Sequence, residues 1–467
     1  MVGIASTGSP YPGVINMLKI ALLSPKGPLY SHRGGIFRKN LRYAPLTLTT
    51  LAALIPPDIE HEVILFDEGI EDIPMDLEAD LVAMTVITGS SRRAYTLARH
   101  FRDRGIPVVM GGPHITLIPD DAAPHADCIV TGYAEDTWPQ LLCDCLNGAR
   151  KERYAQAADL VLGGRPFANR ELIEGKRYAT THVFEATRGC VHRCDFCVVP
   201  FAWGRKPLQR PVHEVVDEIR TIGARRALFI DLNLIADRDY ALELFTALEP
   251  LGIKWGGLAT SLLARDEELL ERCARSGCMG MLVGFESISE GSLKDVSKGF
   301  NSPELFRQWI AAFHAHGIAI NGTFVFGMDN DTPDVFDRTA EFIIDAGIDL
   351  PRYAILTPFP GTGLHQRLAR EGRILTRDWE LYDGQHVVFE PANMSPRELE
   401  EGANRAWRTT YSYSAMARRF RKTPLPAALF VGANFGYRFY ARRLDRFYNC
   451  DWRLTGPRSQ LKLKRSA

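Results

Sequence analysis

Between residues 18 and 146, apolar runs of strand length alternate with segments long enough for helices. The runs are KIALLSP (19–25), HEVILFD (61–67), DLVAMTVIT (80–88), IPVVMGG (106–112) and CIVTG (128–132). They are continuously apolar rather than alternating, which predicts strands covered on both faces: a doubly wound α/β parallel sheet with helices on either side. Ligands of such sheets bind beyond the carboxyl ends of the strands. Loop-forming residues stand there, at Ser24 to Gly35, Thr85 to Ser91, GGPH (111–114) and GYAED (132–136). One glycine loop would only make a turn, but several on one sheet edge predict a ligand cleft.

Residues 147–180 have no long periodic run and read as a connecting linker. The strand–helix rhythm resumes with THVFEATR (181–188), RALFID (226–231), IKWGGLAT (253–260), GMLVGFES (280–287), IAINGTFVFGM (318–328) and RYAILTPFP (352–360). Intervening helices such as VHEVVDEIRTIG and DEELLERCARSG make this a partial (β/α)6 TIM-like barrel over 181–375. Residues 376–467 read as a helical, basic C-terminal region, and 1–17 as an extension preceding the first strand.

Composition adds two constraints. The chain has 467 residues, 46% of them hydrophobic, enough for two or three domains with cores of their own. No segment reaches the roughly 18 consecutive apolar residues of a membrane span, and the N-terminus lacks the pattern of a secretory signal. A reducing cytoplasm is the expected compartment. The net charge of zero conceals an asymmetry. From Arg405 to Ala467 there are 15 Lys and Arg against Asp445 and Asp451, so this stretch carries +13 and the rest of the chain −13.

Two readings of the basic tail stay open. It can pack on the acidic barrel, or it can lie on an anionic membrane as a peripheral contact. For the second, Arg418, Arg419, Arg421 and Lys422 precede an apolar stretch from Pro424 to Phe435. Arg438, Arg442, Arg443 and Arg446 follow, interleaved with Tyr437, Phe439, Tyr440 and Phe447. On that reading the substrate is a lipid, isoprenoid or tetrapyrrole.

The densest chemistry lies in TRGCVHRCDFC (187–197), which spends three of nine cysteines on one loop. A disulfide framework suits a small secreted chain with an even count, which this is not. A structural zinc site needs a fourth ligand. His192 is too near in sequence to complete one comfortably, and the spacing of Cys273 and Cys278 suits a helix-and-turn core better. Three thiolates suit an iron–sulfur cube with one iron left open, while three ordinary buried thiols remain the plain alternative. The loop follows the first barrel strand, on the edge where barrel chemistry sits, and this favours the cluster.

The Cys-x-x-x-Cys-x-aromatic-Cys loop is joined by FIDLN after the second barrel strand, GFES after the fourth, GTFVFGMDNDT at the fifth and LTPFPGTGL at the sixth. With GGPHIT and TGYAEDTW in the first domain, the chain resembles the radical S-adenosylmethionine (SAM) superfamily. More narrowly, over roughly residues 18–390, it is similar to the class with an N-terminal cobalamin-binding domain. The resemblance implies that Cys190, Cys194 and Cys197 hold a four-iron, four-sulfur (4Fe-4S) cluster whose open iron takes SAM. An external electron donor then drives cleavage of SAM to a 5′-deoxyadenosyl radical. It also implies that Phe196 lies near the adenine, that Gly284, Glu286 and Ser287 approach the ribose and methionine parts, and that Asp231 and Asn233 meet SAM or substrate. Thr85, Ser90, Gly111, Gly112 and Gly132 fall at the corresponding cobalamin edge.

One departure concerns the corrin. The Asp-x-His-x-x-Gly signature is absent, SPKGPLYSHRGG stands in its place, and His32 lacks the spacing of a lower ligand. The implied activity is methylation of an unactivated carbon of a small-molecule substrate, with radical oxidation, cyclisation or ring rearrangement as the alternative. An RNA methylthiotransferase would need a second cluster, yet no cysteine precedes Cys128. A non-enzymatic cobalamin or iron–sulfur sensor with a nucleic-acid-binding tail would not need a complete barrel, and nucleic acid is not the expected partner.

Overall fold

The computed structural model describes residues 17–27, 43–157 and 159–444. His32, most of the loop from Ser24 to Gly35, the extension before residue 17, and Asp445, Arg446, Phe447 and Asp451 lie outside the described residues. The chain divides into two compact units, Met1–Leu160 with Gly164–Thr181, and Val161–Gly163 with His182–Ala467.

The first unit holds six strands: β1 (Leu18–Ser24), β2 (His61–Asp67), β3 (Leu81–Thr85), β4 (Val108–Gly111), β5 (Cys128–Thr131) and β6 (Arg153–Ala155). All pair in parallel in the order β2-β1-β3-β4-β5-β6. The two faces of β1 show why its sequence is continuously apolar. Leu18, Ile20 and Leu22 pack into one buried cluster with Leu48, Trp138 and Leu141. Ala21 and Leu23 pack into another with Leu97 and Phe101. A strand buried on both faces leaves no polar position to alternate with.

The expected linker is corrected here. Residues 153–155 add β6 beside β5, and Tyr154 and Ile173 join the same core as Trp138. A three-residue edge strand is too short to show a period, so the sequence pattern missed it.

The second unit holds β7 (Val183–Phe184), β8 (Thr187–Arg188), β9 (Leu208–Gln209), β10 (Arg226–Phe229), β11 (Lys254–Ala259), β12 (Cys278–Glu286), β13 (Ala319–Phe326) and β14 (Arg352–Ile355). Six of them form a parallel sheet in the order β7-β10-β11-β12-β13-β14, while β8 and β9 make a separate antiparallel pair. Each strand lies beside the next in sequence, with helices between, as in a partial barrel. The helix Val212–Ile222 stops where Gly223 takes a left-handed φ of 67°. The helix Glu267–Arg275 starts at Asp266, whose side chain accepts from the Leu269 N–H.

Three helices close the described chain: Pro396–Thr410, Tyr413–Phe420 and Ala427–Ala441. The first begins with a capping box, Ser395 and Glu398 exchanging hydrogen bonds, and buries Leu399, Ala403, Ala406 and Trp407 at helical spacing. Its Trp407 and the following Tyr411 join the barrel core with Tyr353. Of the two readings of the tail, packing on the barrel therefore describes the inner faces of all three helices, the last through Tyr437, Tyr440 and Ala441. Among the described residues no helix is long and apolar enough to cross a membrane.

Candidate functional site

The cysteine loop leaves the carboxyl end of β7 through β8. Asp231, at the carboxyl end of β10, fixes that exit. Its Oδ1 accepts the Ala186 N–H at 3.0 Å and also the Thr187 N–H. Asp231 is fully buried, and burial, reinforced by Glu185, pushes its carboxyl up to about 7 against the pull of those N–H donors. Its Oδ2 and the Asn233 Oδ1 are buried without a hydrogen-bond partner. Unsatisfied buried polar atoms are rare, and two on one sheet edge mark a place made to receive a group. The Asn233 amide nitrogen lies 4.0 Å from the Cys190 Sγ.

The loop is fastened on its other side to the segment after β12. The Asp195 N–H donates to the Val296 carbonyl at 3.2 Å, and the Ser297 hydroxyl donates to Asp195 Oδ1 at 3.1 Å. The Leu364 N–H donates to the Asp195 carbonyl at 3.1 Å. His192 stacks on Phe300 with ring centroids 4.0 Å apart. Phe196 is half-buried against the barrel core.

β12 ends in a register shift against β13 between Gly284 and Glu286, and Glu286 adopts a left-handed φ of 63°. Such a conformation in a non-glycine residue is uncommon and concentrates at functional sites. The turn swings the carboxylate onto Lys298, Nζ to Oε1 being 2.6 Å. A Cβ at position 284 would crowd the Glu286 carboxylate and lie 2.8 Å from that Nζ, so a larger residue would press on the ion pair. Ser287 is buried and accepts the Ser289 N–H at 3.1 Å.

Lys298, Asp195, Phe300 and Asn301 escaped the sequence reading. Asn301 donates to the carbonyls of Gly284 and Phe285 at 3.0 and 2.9 Å and so holds the bulge. A lysine in a short loop carries no periodic signal, and only the fold brings it to the cysteines. Burial works against the Lys298 charge, but Glu286, Cys194 and Cys197 outweigh it and raise its pKa. In return Lys298 eases the burial that pushes the Cys194 thiol up to about 12, and Cys197 is raised by burial too.

The donor set fits a cluster better than a single ion. Among the described residues no three His, Cys, Asp or Glu side chains converge on one metal position. Three thiolates that each hold a different iron of a cube need no such convergence. Buried thiols gain from the positive charge that such a group brings. Cys273 and Cys278 lie in the barrel core, as their spacing suggested, and offer no second ligand pair.

In the first unit the order β2-β1-β3 puts the topological switch between β1 and β3. There a Cβ on Gly27 would stand 3.0 Å from the Gly89 carbonyl oxygen, so the two loops meet backbone to backbone. Gly112, at a φ of 103°, leaves no room for a Cβ, which would lie 2.8 Å from the Val86 nitrogen and 3.1 Å from the Thr85 Oγ1. Gly132, at a φ of 78°, donates its N–H to the Thr116 Oγ1 at 2.9 Å. This edge is built of backbone, a cradle that suits a broad planar ring. Ser90 is buried and hydrogen-bonds the Ile87 backbone, while Gly111 has ordinary space around it. His114 turns away, its Nε2 lying 3.1 Å from the Tyr95 hydroxyl.

Comparisons with known proteins agree with the two-unit fold. Residues 184–343 match the radical SAM superfamily and residues 49–142 the B12 binding domain. Bacteriochlorophyllide d C-12(1)-methyltransferase of Chlorobaculum tepidum is 31% identical over 417 residues, covering 86% of this chain and 89% of the relative. Bacteriochlorophyllide d C-8(2)-methyltransferase of the same organism is 29% identical, covering 81% and 88%. The radical SAM methyltransferase TsrM of Kitasatospora setae, solved with cobalamin and a [4Fe-4S] cluster bound, shares the fold. Its TM-score is 0.63 at 17% identity, over 96% of this chain and 100% of that one.

Proposed function

Since the chain belongs to the radical SAM methyltransferases that carry a B12-binding domain, we propose that it places a methyl group on a peripheral, unactivated carbon of a chlorophyll-type tetrapyrrole. The observation that carries the substrate class is the 31% identity to a bacteriochlorophyllide methyltransferase over nearly the whole of both chains. When bound, the 4Fe-4S cluster, SAM and cobalamin supply one-electron chemistry and the methyl group.

This chain's residues supply the surroundings. Cys190, Cys194 and Cys197 would hold three irons of the cluster, and the Asn233 amide and the Lys298 ammonium would offset thiolate charge beside them. Glu286, fixed by Lys298, and Ser287 and Gly284 line the SAM side of the site, with Phe196 against the adenine. Asp231 anchors the loop through Oδ1 and turns Oδ2, a donor while the carboxyl holds its proton and an acceptor once it is ionised, to SAM or substrate together with Asn233. Thr85, Ser90, Gly111, Gly112 and Gly132 form the corrin edge. An external one-electron donor belongs to the same reading.

The test is anaerobic incubation of reconstituted protein with SAM, cobalamin, a reductant and a bacteriochlorophyllide lacking the methyl group. The expected result is a product heavier by one methylene unit, with 5′-deoxyadenosine formed alongside. Cys194→Ala should lose iron and both products. Full SAM cleavage by that variant would overturn the ligand assignment, and cleavage without methylation of any tetrapyrrole would overturn the substrate class.

A further inference from the structure

The helix Ala427–Ala441 is apolar on both sides. Its inner side buries Phe430, Asn434 and Ala441. Its outer side presents Leu429, Val431 and Phe435, at 49%, 45% and 50% exposure, and no charged residue occurs before Arg438. The preceding helix Tyr413–Phe420 extends the same surface. Tyr413 is exposed, its ring 6.0 Å from that of Phe435, and Phe420 is exposed, 5.4 Å from Phe430. A helix that is apolar all round belongs in a core or in lipid. This one has a core on one side only.

The charges around it choose the occupant. Exposed Arg421 and Lys422 stand just before the helix, and exposed Arg442 and Arg443 just after it. Between Gly402 and Leu444 the chain has nine Lys and Arg and no Asp or Glu. Arg419 is buried and Arg405 and Arg418 pair with Asp337 and Asp345, which leaves Arg421, Lys422, Arg442 and Arg443 as the exposed cations flanking the helix. A second copy seated on this face by two-fold symmetry would set basic surface against basic surface. Nucleic acid would use the arginines and the aromatic rings, but it has no use for exposed Leu429 and Val431. An anionic bilayer uses both, apolar side chains entering below the headgroups and guanidinium groups meeting the phosphates.

We propose that the outer face of the helix Ala427–Ala441, with Tyr413 and Phe420, docks this protein on an anionic lipid surface. The helix lies in the plane of the interface, since 15 residues are too few to cross it. The surface stands on its own residues and does not depend on the proposed reaction.

The experiment uses full-length protein and co-sedimentation with phosphatidylcholine vesicles, with and without phosphatidylglycerol. Wild type should sediment with the anionic vesicles and be released by salt. The double variant Val431→Glu, Phe435→Glu should weaken partition about tenfold or more. Arg421→Glu with Arg442→Glu should weaken it by about fivefold per arginine. Both variants should keep the wild-type circular dichroism and SAM cleavage, so a failure here is distinct from a failure of the proposed function. Three results overturn the proposal: wild type ignoring anionic vesicles at low salt, the Val431 and Phe435 variant binding as wild type does, or a solution dimer that Phe435→Glu dissolves.

Discussion

Lys298 and Glu286 form an ion pair of 2.6 Å with about nine-tenths of each side chain covered, directly beside the three-cysteine loop. The pair locks the left-handed turn at the end of β12 to the segment that fastens the loop. Breaking it leaves a buried charge without its partner. Lys298→Met or Glu286→Gln should therefore cost about 3–5 kcal/mol of stability, read from urea unfolding of the apoprotein. The double variant should cost less than the sum of the two. Holoprotein carrying Lys298→Arg should recover part of the SAM cleavage that Lys298→Met loses. Additive costs in the double variant would show that the two residues act separately.

Asp231 gives the site a pH dependence. Its carboxyl is raised by burial from the ordinary carboxylate value to about 7, so the folded protein holds a proton there that the unfolded chain releases. The sign follows from linkage. Stability from this group is fully present below the ordinary carboxylate range and is lost as pH rises to about 7. Asp231→Asn keeps the acceptor for the Ala186 and Thr187 N–H groups but cannot ionise. Its unfolding free energy should fall less than that of wild type between about pH 4 and 7. Parallel pH profiles for the two proteins would place the charge change elsewhere.

The chemistry was legible wherever a local pattern carried it. The continuous apolar runs of β1 and β3 gave away a sheet covered on both faces, and the spacing of Cys190, Cys194 and Cys197 marked the loop. What stayed hidden depended on contacts distant in sequence or on elements too short for a period. β6 has three residues, and its pairing with β5 is visible only in space. Lys298 reads as one more surface lysine until the bulge at Glu286 brings the carboxylate to it. Asp231 stands out in FIDLN after the second barrel strand, but its grip on two backbone N–H groups is visible only in space.

Gly112 and Gly111 separate backbone need from mere smallness. A Cβ on Gly112 would stand 2.8 Å from the Val86 nitrogen and 2.9 Å from its oxygen, at a φ of 103°. At Gly111 the nearest atom is 3.5 Å away. Gly112→Ala should cost about 1–3 kcal/mol through strain and displace the carboxyl edge of β3. Protein carrying it should no longer retain hydroxocobalamin through gel filtration, while Gly111→Ala should retain it. Retention by both would remove the glycine edge from the corrin site.

Arg419 tests what holds the basic helices to the barrel. The opposite net charges of tail and barrel suggest long-range attraction, and Arg418 with Asp345 and Arg405 with Asp337 do form exposed pairs. Exposed pairs contribute little, about 0–1 kcal/mol each, and salt screens them. Arg419 is fully buried instead. It donates to the carbonyls of Ile348, Asp349 and Thr410 at 3.2, 2.8 and 3.1 Å, between the rings of Tyr411 and Phe430. Burial lowers its pKa, and its guanidinium meets neutral carbonyls and aromatic faces. Arg419→Lys cannot reach three carbonyls in that fork and should cost about 2–4 kcal/mol, releasing the helix Ala427–Ala441 to limited proteolysis. Arg418→Ala should change stability by less than about 1 kcal/mol. Raising the salt should leave the wild-type proteolysis pattern unchanged if Arg419 is the anchor. If salt alone frees the helix while Arg419→Lys does not, net charge rather than this buried contact holds it in place.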